Sequence, residues 1–376
     1  MLRNFVKATM LVAGLRSFLF LLNSFMTTSA VNEHNSGPIT LGESKIKLTD
    51  IIKTLPPECF VQDARKAWFS VISNVLAVIL GYFFLAIAPW YLLPLAWIYT
   101  GTAATGFFVI GHDCAHRSFA KRKWVNDLVG HLFMMPLIYP FHGWRIKHNY
   151  HHTHTNKLKV DNAWQPVGTD VYEGSGVLGK WAFKRFLYNR LWWIGSIVHW
   201  AMHHFNWSQF RKQDQPAVKL SVAVVVLFAV VCFPTLIATT GIWGFVKFWF
   251  IPWMVYHFWM STFTYIHHTA PDIAFVPVEK WNAAIAQLSG TVHCNYPKWV
   301  EFLCHDINVH VPHHISTAIP SYNLRLAHSS LQENWGSYMH DECTFSVSLL
   351  KYITDRCHLY TPENEYISFK DYYAQR

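Results

Sequence analysis

The sequence predicts an all-α integral membrane protein, with four transmembrane helices paired as two hairpins beneath a cytoplasmic helical cap. Composition is the first reason. Of 376 residues, 52% are apolar and only 14% charged, with 18 Trp and 28 Phe, whereas soluble domains carry about 25% charged residues. Second, four runs of about 20 mostly apolar residues are each long enough to cross a bilayer. Third, the stretch of roughly a hundred residues between the two hairpins is rich in Lys and Arg, and the short hairpin loops hold neither. The positive-inside rule puts that stretch and both termini on one cytoplasmic or stromal face, a parity that four crossings satisfy.

Residues 1–25 carry Arg3, Lys7 and Arg16, no acid, and an apolar run that Arg16 interrupts. They read as a leader or an over-called start, because Met26 opens a polar, linker-like stretch, "MTTSAVNEHNSG". A cleaved secretory signal would leave the mature start outside and invert the topology against the charge bias; a start at Met26 agrees with it. Residues 26–66 form an N-terminal tail with one amphipathic piece, "LTDIIKTL", expected at the membrane surface. Residues 67–376 form the membrane domain.

Within it the expected spans are 68–88, 91–111, 219–239 and 242–264, joined within each pair by "PW" and by the Pro234 to Gly241 region. Lys247 would cost about 2.5–3.5 kcal/mol at a helix centre, which places it near the outer interface. Residues 125–141 and 181–207 are apolar but short or punctuated by charge, and read as surface-lying amphipathic helices. The basic residues between the hairpins include Arg117, Lys121, Arg122, Lys123, Arg145, Lys147, Lys157, Lys159, Lys180, Lys184, Arg185, Arg190, Arg211 and Lys212. With the net charge of +9, their location points to anionic lipid or an acidic partner and gives nucleic acid no role. Seven cysteines form no CxxC pair and read as reduced, mostly structural thiols.

Histidine supplies the chemistry. Three clusters stand out: "HDCAH" (His112, His116), "HNYHH" (His148, His151, His152) and "HVPHH" (His310, His313, His314). HxxxH is expected by chance roughly once here and HxxHH roughly 0.1 times, yet HxxHH occurs twice; such a motif matters only in a fitting structural context. That context is present, since HxxxH lies where the second span reaches the cytoplasmic face and all three clusters fall on that face. Residues three and four apart share a helix face, so each cluster can point two or three imidazoles at a common centre. A lone histidine such as His131 or His199 reads instead as interfacial or hydrogen-bonded. Imidazole suits Zn, Cu, Fe and Ni alike, but eight or nine ligands exceed one tetrahedral zinc and imply two metals. Position 113 is Asp where a zinc hydrolase would place the Glu of HExxH. Two irons with open positions beside a membrane can reduce O₂ to an oxidant that attacks an unactivated C–H bond, so hydrocarbon chemistry is the inference.

At these residues the sequence resembles the membrane fatty acid desaturases, which carry HxxxH, HxxHH and HxxHH in that order. The segments "GHDCAHRSFAKRKWVNDLVGH", "DNAWQPV", "QLSGTVHCNYPKWVEFLCHDINVHVPHHI" and "IPSYNLRLAHSSLQENWG" are similar to those of the cyanobacterial and plastid acyl-lipid Δ12 (omega-6) desaturases. The resemblance runs from "KLTDIIKTLPPECF" to about "CHLY". It implies a diiron centre in a cyanobacterial or plastid membrane, with His112, His116, His148, His151, His152, His310, His313 and His314 as iron ligands. The related acyl-CoA branch takes a further histidine just after the last span, a place that His268 fits, with His267 and His305 as alternatives. That branch also has an asparagine one turn earlier; here it is Thr264. Asp113, Asp161 and Asp306 are candidates to receive the outer N–H of metal-bound imidazoles.

The resemblance further implies conversion of oleoyl to linoleoyl chains in membrane glycerolipids, with O₂ as oxidant and ferredoxin, a small acidic protein, as electron donor. No HPGG-type haem motif is visible in the sequence, and the basic face suits such a donor. Two other readings compete. A hydroxylase, epoxygenase or carotenoid oxygenase would share the ligand set. A metal transporter would place its histidines near the midplane of the spans, where no clustered histidine lies.

Overall fold

The computed structural model describes residues 46–163, 165–184, 192–340, 342–361 and 365–376. The leader, Met26, Trp164, Arg185 and Arg190 lie outside the described residues.

Asp63 starts helix α1 (Ala64–Ile87) as an N-cap, its carboxylate accepting from the backbone N–H groups of Arg65 at 2.8 Å and Lys66 at 3.4 Å. Its 24 residues rise about 36 Å, more than the roughly 30 Å of bilayer hydrocarbon. Phe69, Ile72, Leu76, Ile79, Phe83 and Ile87 stay exposed along one side, a contiguous apolar face of the kind lipid covers. The opposite side is small and packs on α2 (Leu93–Ala115). There Asn74 Nδ2 donates to the Ala103 carbonyl at 2.9 Å, and a Cβ on Gly81 would sit 2.6 Å from Thr100 Oγ1. Small residues thus let the two backbones approach closely.

α2 is enclosed by α1, α3 (Lys123–Met134) and α6 (Ile251–His268), and its last turn carries His112. On α3, Trp124, Leu128 and Leu132 are exposed at four-residue spacing while Val129, Gly130 and Met134 face inward, the two-faced pattern of an amphipathic helix. The helix expected over 125–141 stops at Met134 because Pro136 follows; a tight turn over Met135–Leu137 leads, after Pro140, into α4 (Phe141–His154).

Four separate apolar runs were expected; the described residues contain three of membrane-crossing length, Ala64–Ile87, Trp90–Ala115 and a 54-residue run Gln215–His268. The third comprises α5 (Gln215–Phe245), a π-helical turn over Val246–Phe250, and α6. Pro234 lies within α5, so the expected Pro234 to Gly241 loop is helical up to the single break at Gly241 (φ 73°, ψ 176°). The Phe233 ring lies 4.3 Å from that of Trp249; sixteen residues of continuous helix would hold them about 24 Å apart. The chain therefore doubles back at Gly241. Lys247 follows that turn, at the opposite end of the helix from His268.

Outside the long helices two further expectations are overturned. "LTDIIKTL" does not lie on a surface: Ile51 and Leu55 are buried in a core with residues of α7 (Ala283–Ser289), α8 (His310–Ile315) and α9 (Leu324–Trp335). Its apolar stripe found protein instead of lipid to cover it. Nor is the chain purely helical. Among the described residues five short strands occur: β1 (Val167–Gly168), β2 (Cys294–Asn295), β3 (Cys343–Thr344), β4 (Leu359–Thr361) and β5 (Glu365–Ile367). They form a β1-β4-β5 sheet and a parallel β2-β3 pair, too short to leave an alternating pattern in the sequence.

Candidate metal centre

Nine histidines reach one buried region from four helix segments. α2 supplies His112 and, as its C-terminal cap, His116; α4 supplies His148, His151 and His152; the end of α6 supplies His268; α8 supplies His310, His313 and His314. The helical rotation of about 100° per residue turns the odd member of each HxxHH box away from its i, i+4 pair. His112, His116, His148, His152 and His313 offer ligand nitrogens within 4.8 Å of one another, as do His151, His268 and His314. His310 belongs with the second group, its Nε2 lying 2.9 Å from His268 Nε2 and 3.0 Å from His314 Nε2. In each box the i, i+4 pair serves one centre and the remaining histidine the other. The centres adjoin, with the rings of His152 and His314 4.3 Å apart.

The donor geometry fits a pair of cations. In the first group His112 Nε2 and His313 Nε2 stand 2.9 Å apart, and His148 Nε2 and His152 Nε2 stand 3.1 Å apart. A neutral imidazole nitrogen carries either one proton or one lone pair, so His268, His310 and His314 cannot satisfy one another through Nε2 alone; a cation would accept all three lone pairs. Metal–nitrogen bonds of about 2.1 Å meeting at a right angle place donors about 3.0 Å apart, and a tetrahedral angle about 3.4 Å. The closest separations match the right angle. Burial, followed by the neighbouring imidazoles, pushes His148, His152, His310, His313 and His314 well below the ordinary histidine range, which keeps them in the neutral form that ligates.

Outer partners orient several rings. His151 Nδ1 lies 2.7 Å from Asp161 Oδ1, and that carboxylate also accepts from the backbone N–H groups of Asn156 and Ala163, both at 3.0 Å. His112 Nδ1 is 3.4 Å from Asp113 Oδ1, a longer contact, while Asp113 Oδ2 accepts from the Ser321 N–H at 3.1 Å. Asp306, the third carboxylate expected to orient a ligand, pairs with Arg325 instead. Two further partners belong to no sequence motif: His314 Nδ1 lies 2.8 Å from Gln287 Oε1 and 3.2 Å from Thr155 Oγ1. Gln287 also donates to the His152 carbonyl, tying both centres to α7. Its only signal was one glutamine in the otherwise small and apolar "AAIAQLSG".

Of the three alternatives for a ninth ligand, His268 lies in the cluster. His267 stacks on Phe263 with Nε2 3.5 Å from the Tyr296 hydroxyl, and His305 lines a separate small cavity with Asp113 and Tyr322. The lone His131 is hydrogen-bonded, to the Asp127 carbonyl at 2.6 Å and Ser221 Oγ at 2.9 Å. A cavity of about 160 Å³ adjoins both centres and is lined by His148, His151 and His310, with Phe108, Met260 and Phe263 among its apolar walls. Thr264 lines it too.

Fold and site together define a helical membrane protein whose two imidazole cages suit a pair of metal ions next to an apolar cavity. Residues 88–341 match the fatty acid desaturase family. Over 351 residues the chain is 67% identical to an sn-1 oleoyl-lipid 12-desaturase of Anabaena variabilis, covering 93% of this chain and 100% of that protein. It is 59% identical to the sn-1 oleoyl-lipid 12-desaturase of Synechocystis sp., over 86% of this chain and 92% of that one. A chloroplastic omega-6 fatty acid desaturase of Brassica napus is 55% identical over 86% of this chain and 72% of its own length. The chain belongs to the fatty acid desaturase family and is an oxidoreductase, as the histidine boxes led us to expect.

Proposed function

We propose that this chain is an acyl-lipid Δ12 (omega-6) desaturase converting oleoyl to linoleoyl chains in membrane glycerolipids, with two irons as cofactor, O₂ as oxidant and ferredoxin as electron donor. The observation that carries this reading is the placement of two imidazole cages against an apolar-walled cavity at the ends of membrane-length helices. His112, His116, His148, His152 and His313 would hold one iron, and His151, His268, His310 and His314 the other. Bound there, the irons supply the reduction of O₂ to water, with two electrons from the substrate C–H bonds and two from the donor.

The chain's own residues do the positioning. Phe108, Met260 and Phe263 give the acyl chain apolar walls, so that the carbons to be desaturated rest against the cages. Asp161 and Gln287 fix the ring planes of His151 and His314. The chain crosses the membrane four times in this reading, α5 and α6 being separate crossings joined at Gly241, with the histidines on the cytoplasmic or stromal side. Lys121, Arg122, Lys123 and Lys212 are exposed, which suits an acidic donor or anionic headgroups.

Gas chromatography of lipids tests the reading, in a host that makes oleate and ferredoxin but no linoleate and expresses this chain from Met26. A new 18:2 acid with double bonds at Δ9 and Δ12 is expected. A hydroxylated acid, or a double bond elsewhere, would overturn the assignment.

A further inference from the structure

Outside the two cages, the described residues contain a third group of metal-ligating atoms: His293, His328 and Glu342, all within 4.8 Å of one another. They come from three separate segments of the cap. His293 precedes β2, His328 lies on α9 and Glu342 precedes β3. The two imidazoles stack with centroids 4.3 Å apart and planes inclined by 22°, and both turn Nε2 toward one carboxylate. His328 Nε2 is 3.0 Å from Glu342 Oε1 and His293 Nε2 is 4.0 Å from Oε2. His293 Nε2 also lies 3.2 Å from Asn295 Oδ1, which brings a further oxygen donor within reach.

The carboxylate is fixed in place. Asn295 Nδ2 donates to Oε2 at 3.0 Å, and Gln332 Nε2 donates to Oε1 at 2.7 Å. Burial works to raise the Glu342 carboxyl, yet hydrogen bonds from His328 and Asn295 bring it down to about 2, so it stays anionic. The His293 and His328 side chains are only 4% and 8% exposed, whereas Glu342 is 37% exposed, leaving solvent access on the carboxylate side. A hydrogen bond accounts for the His328 contact; the 4.0 Å between His293 and Oε2 is too long for one. Bonds of about 2.0 Å in a tetrahedral zinc site would place nitrogen and oxygen donors about 3.3 Å apart, between the two observed separations.

We propose that His293, His328 and Glu342 form a mononuclear zinc site, separate from the two cages, that fastens three segments of the cap together. Two neutral imidazoles and a carboxylate, with water or the Asn295 amide oxygen completing four positions, are a donor set suited to zinc. The site's position gives it a structural role. The His293 carbonyl accepts from the Cys343 N–H at 3.1 Å, holding β2 against β3, and the Val292 N–H donates to the His267 carbonyl at 2.9 Å, beside His268. The same stretch leads back to α7 and Gln287. An ion at His293 would therefore anchor the chain that supports the second cage.

The test is metal analysis of the purified, iron-loaded full chain after incubation with zinc ions and desalting. Wild type should hold about two irons and about one zinc per chain. His328→Ala, and independently the isosteric Glu342→Gln, should keep the iron while zinc affinity falls about 100-fold or more. Cobalt(II) added to the same iron-loaded protein should give the visible absorption of a four-coordinate site in wild type and none in Glu342→Gln. No zinc beyond the iron in wild type, or wild-type zinc in both variants, would overturn the proposal. Iron and zinc are counted separately, so failure of this site leaves the two-iron reading testable in the same sample.

Discussion

Asp161→Asn removes one negative charge from behind His151 with almost no change in volume. The contact is 2.7 Å long, and the side chains of His151 and Asp161 are 2% and 1% exposed, so water cannot replace the lost partner. A buried charge-assisted hydrogen bond contributes about 1.5–3 kcal/mol, which corresponds to about 10- to 150-fold in affinity. Asn has one oxygen where Asp161 uses both, on His151 and Ala163 through Oδ1 and on Asn156 through Oδ2. Its amide must therefore face either the Asn156 N–H or His151 Nδ1. Facing His151, it would push the imidazole proton onto Nε2, the nitrogen needed for a metal. The assay is iron content of purified protein against increasing chelator, with linoleate formation measured in parallel. The second centre should empty at chelator concentrations about 10- to 100-fold lower than in wild type while the first stays filled, and excess iron should restore activity. Iron lost equally from both centres, or from neither, would refute the division of ligands and the role given to Asp161.

His151→Ala and His313→Ala should each abolish linoleate formation while leaving the protein in the membrane fraction, which lipid analysis and immunoblotting of membranes check together. Gln287→Leu removes the partner of His314 Nδ1 and should lower activity by about 10- to 100-fold, with an iron-affinity loss that Gln287→Glu partly avoids. Gly241→Ala forces a Cβ into a backbone region that only glycine occupies readily, so thermal unfolding in detergent should show a loss of about 1–3 kcal/mol, although no side chain obstructs the new methyl. Burial, ahead of the nearby His203, holds His199 at about 4. Its unfolded form gains a proton below about 6.5 while its folded form does not, so stability falls as pH drops from about 6.5 toward 4; His199→Gln should flatten that part of a melting-temperature profile.

The histidine boxes were legible because their spacing survives translation into helix geometry. An i, i+4 pair on a helix faces one way whatever the helix packs against, and the odd member of each HxxHH box points elsewhere. The sequence could show that each box offers metal-ligating imidazoles, but not that His151 and His313 lie with the centre opposite to their neighbours. That division depends on how α4 and α8 cross, which is a long-range property. Gln287 and Thr155 were illegible for the same reason, since a single polar residue in a small apolar helix declares no partner. Asp306 is close to the third box only along the chain; its partner in space is Arg325. At Gly241 the sequence suggested a loop from Pro234 onward, but one glycine in an unusual backbone conformation turns the chain without any polar linker. "LTDIIKTL" was amphipathic as read, and amphipathicity cannot tell a lipid surface from the apolar side of a protein cap.

The measurement that bears most directly on the two-centre account is Mössbauer spectroscopy of protein grown on iron-57, in wild type, His313→Ala and His314→Ala. Two inequivalent iron signals of about equal area are expected in wild type, because about five imidazoles surround one site and about four the other. His313→Ala should lose one signal and His314→Ala the other, although the two residues are adjacent in sequence. A single kind of iron, or the same signal lost in both variants, would contradict the division of the boxes between two centres.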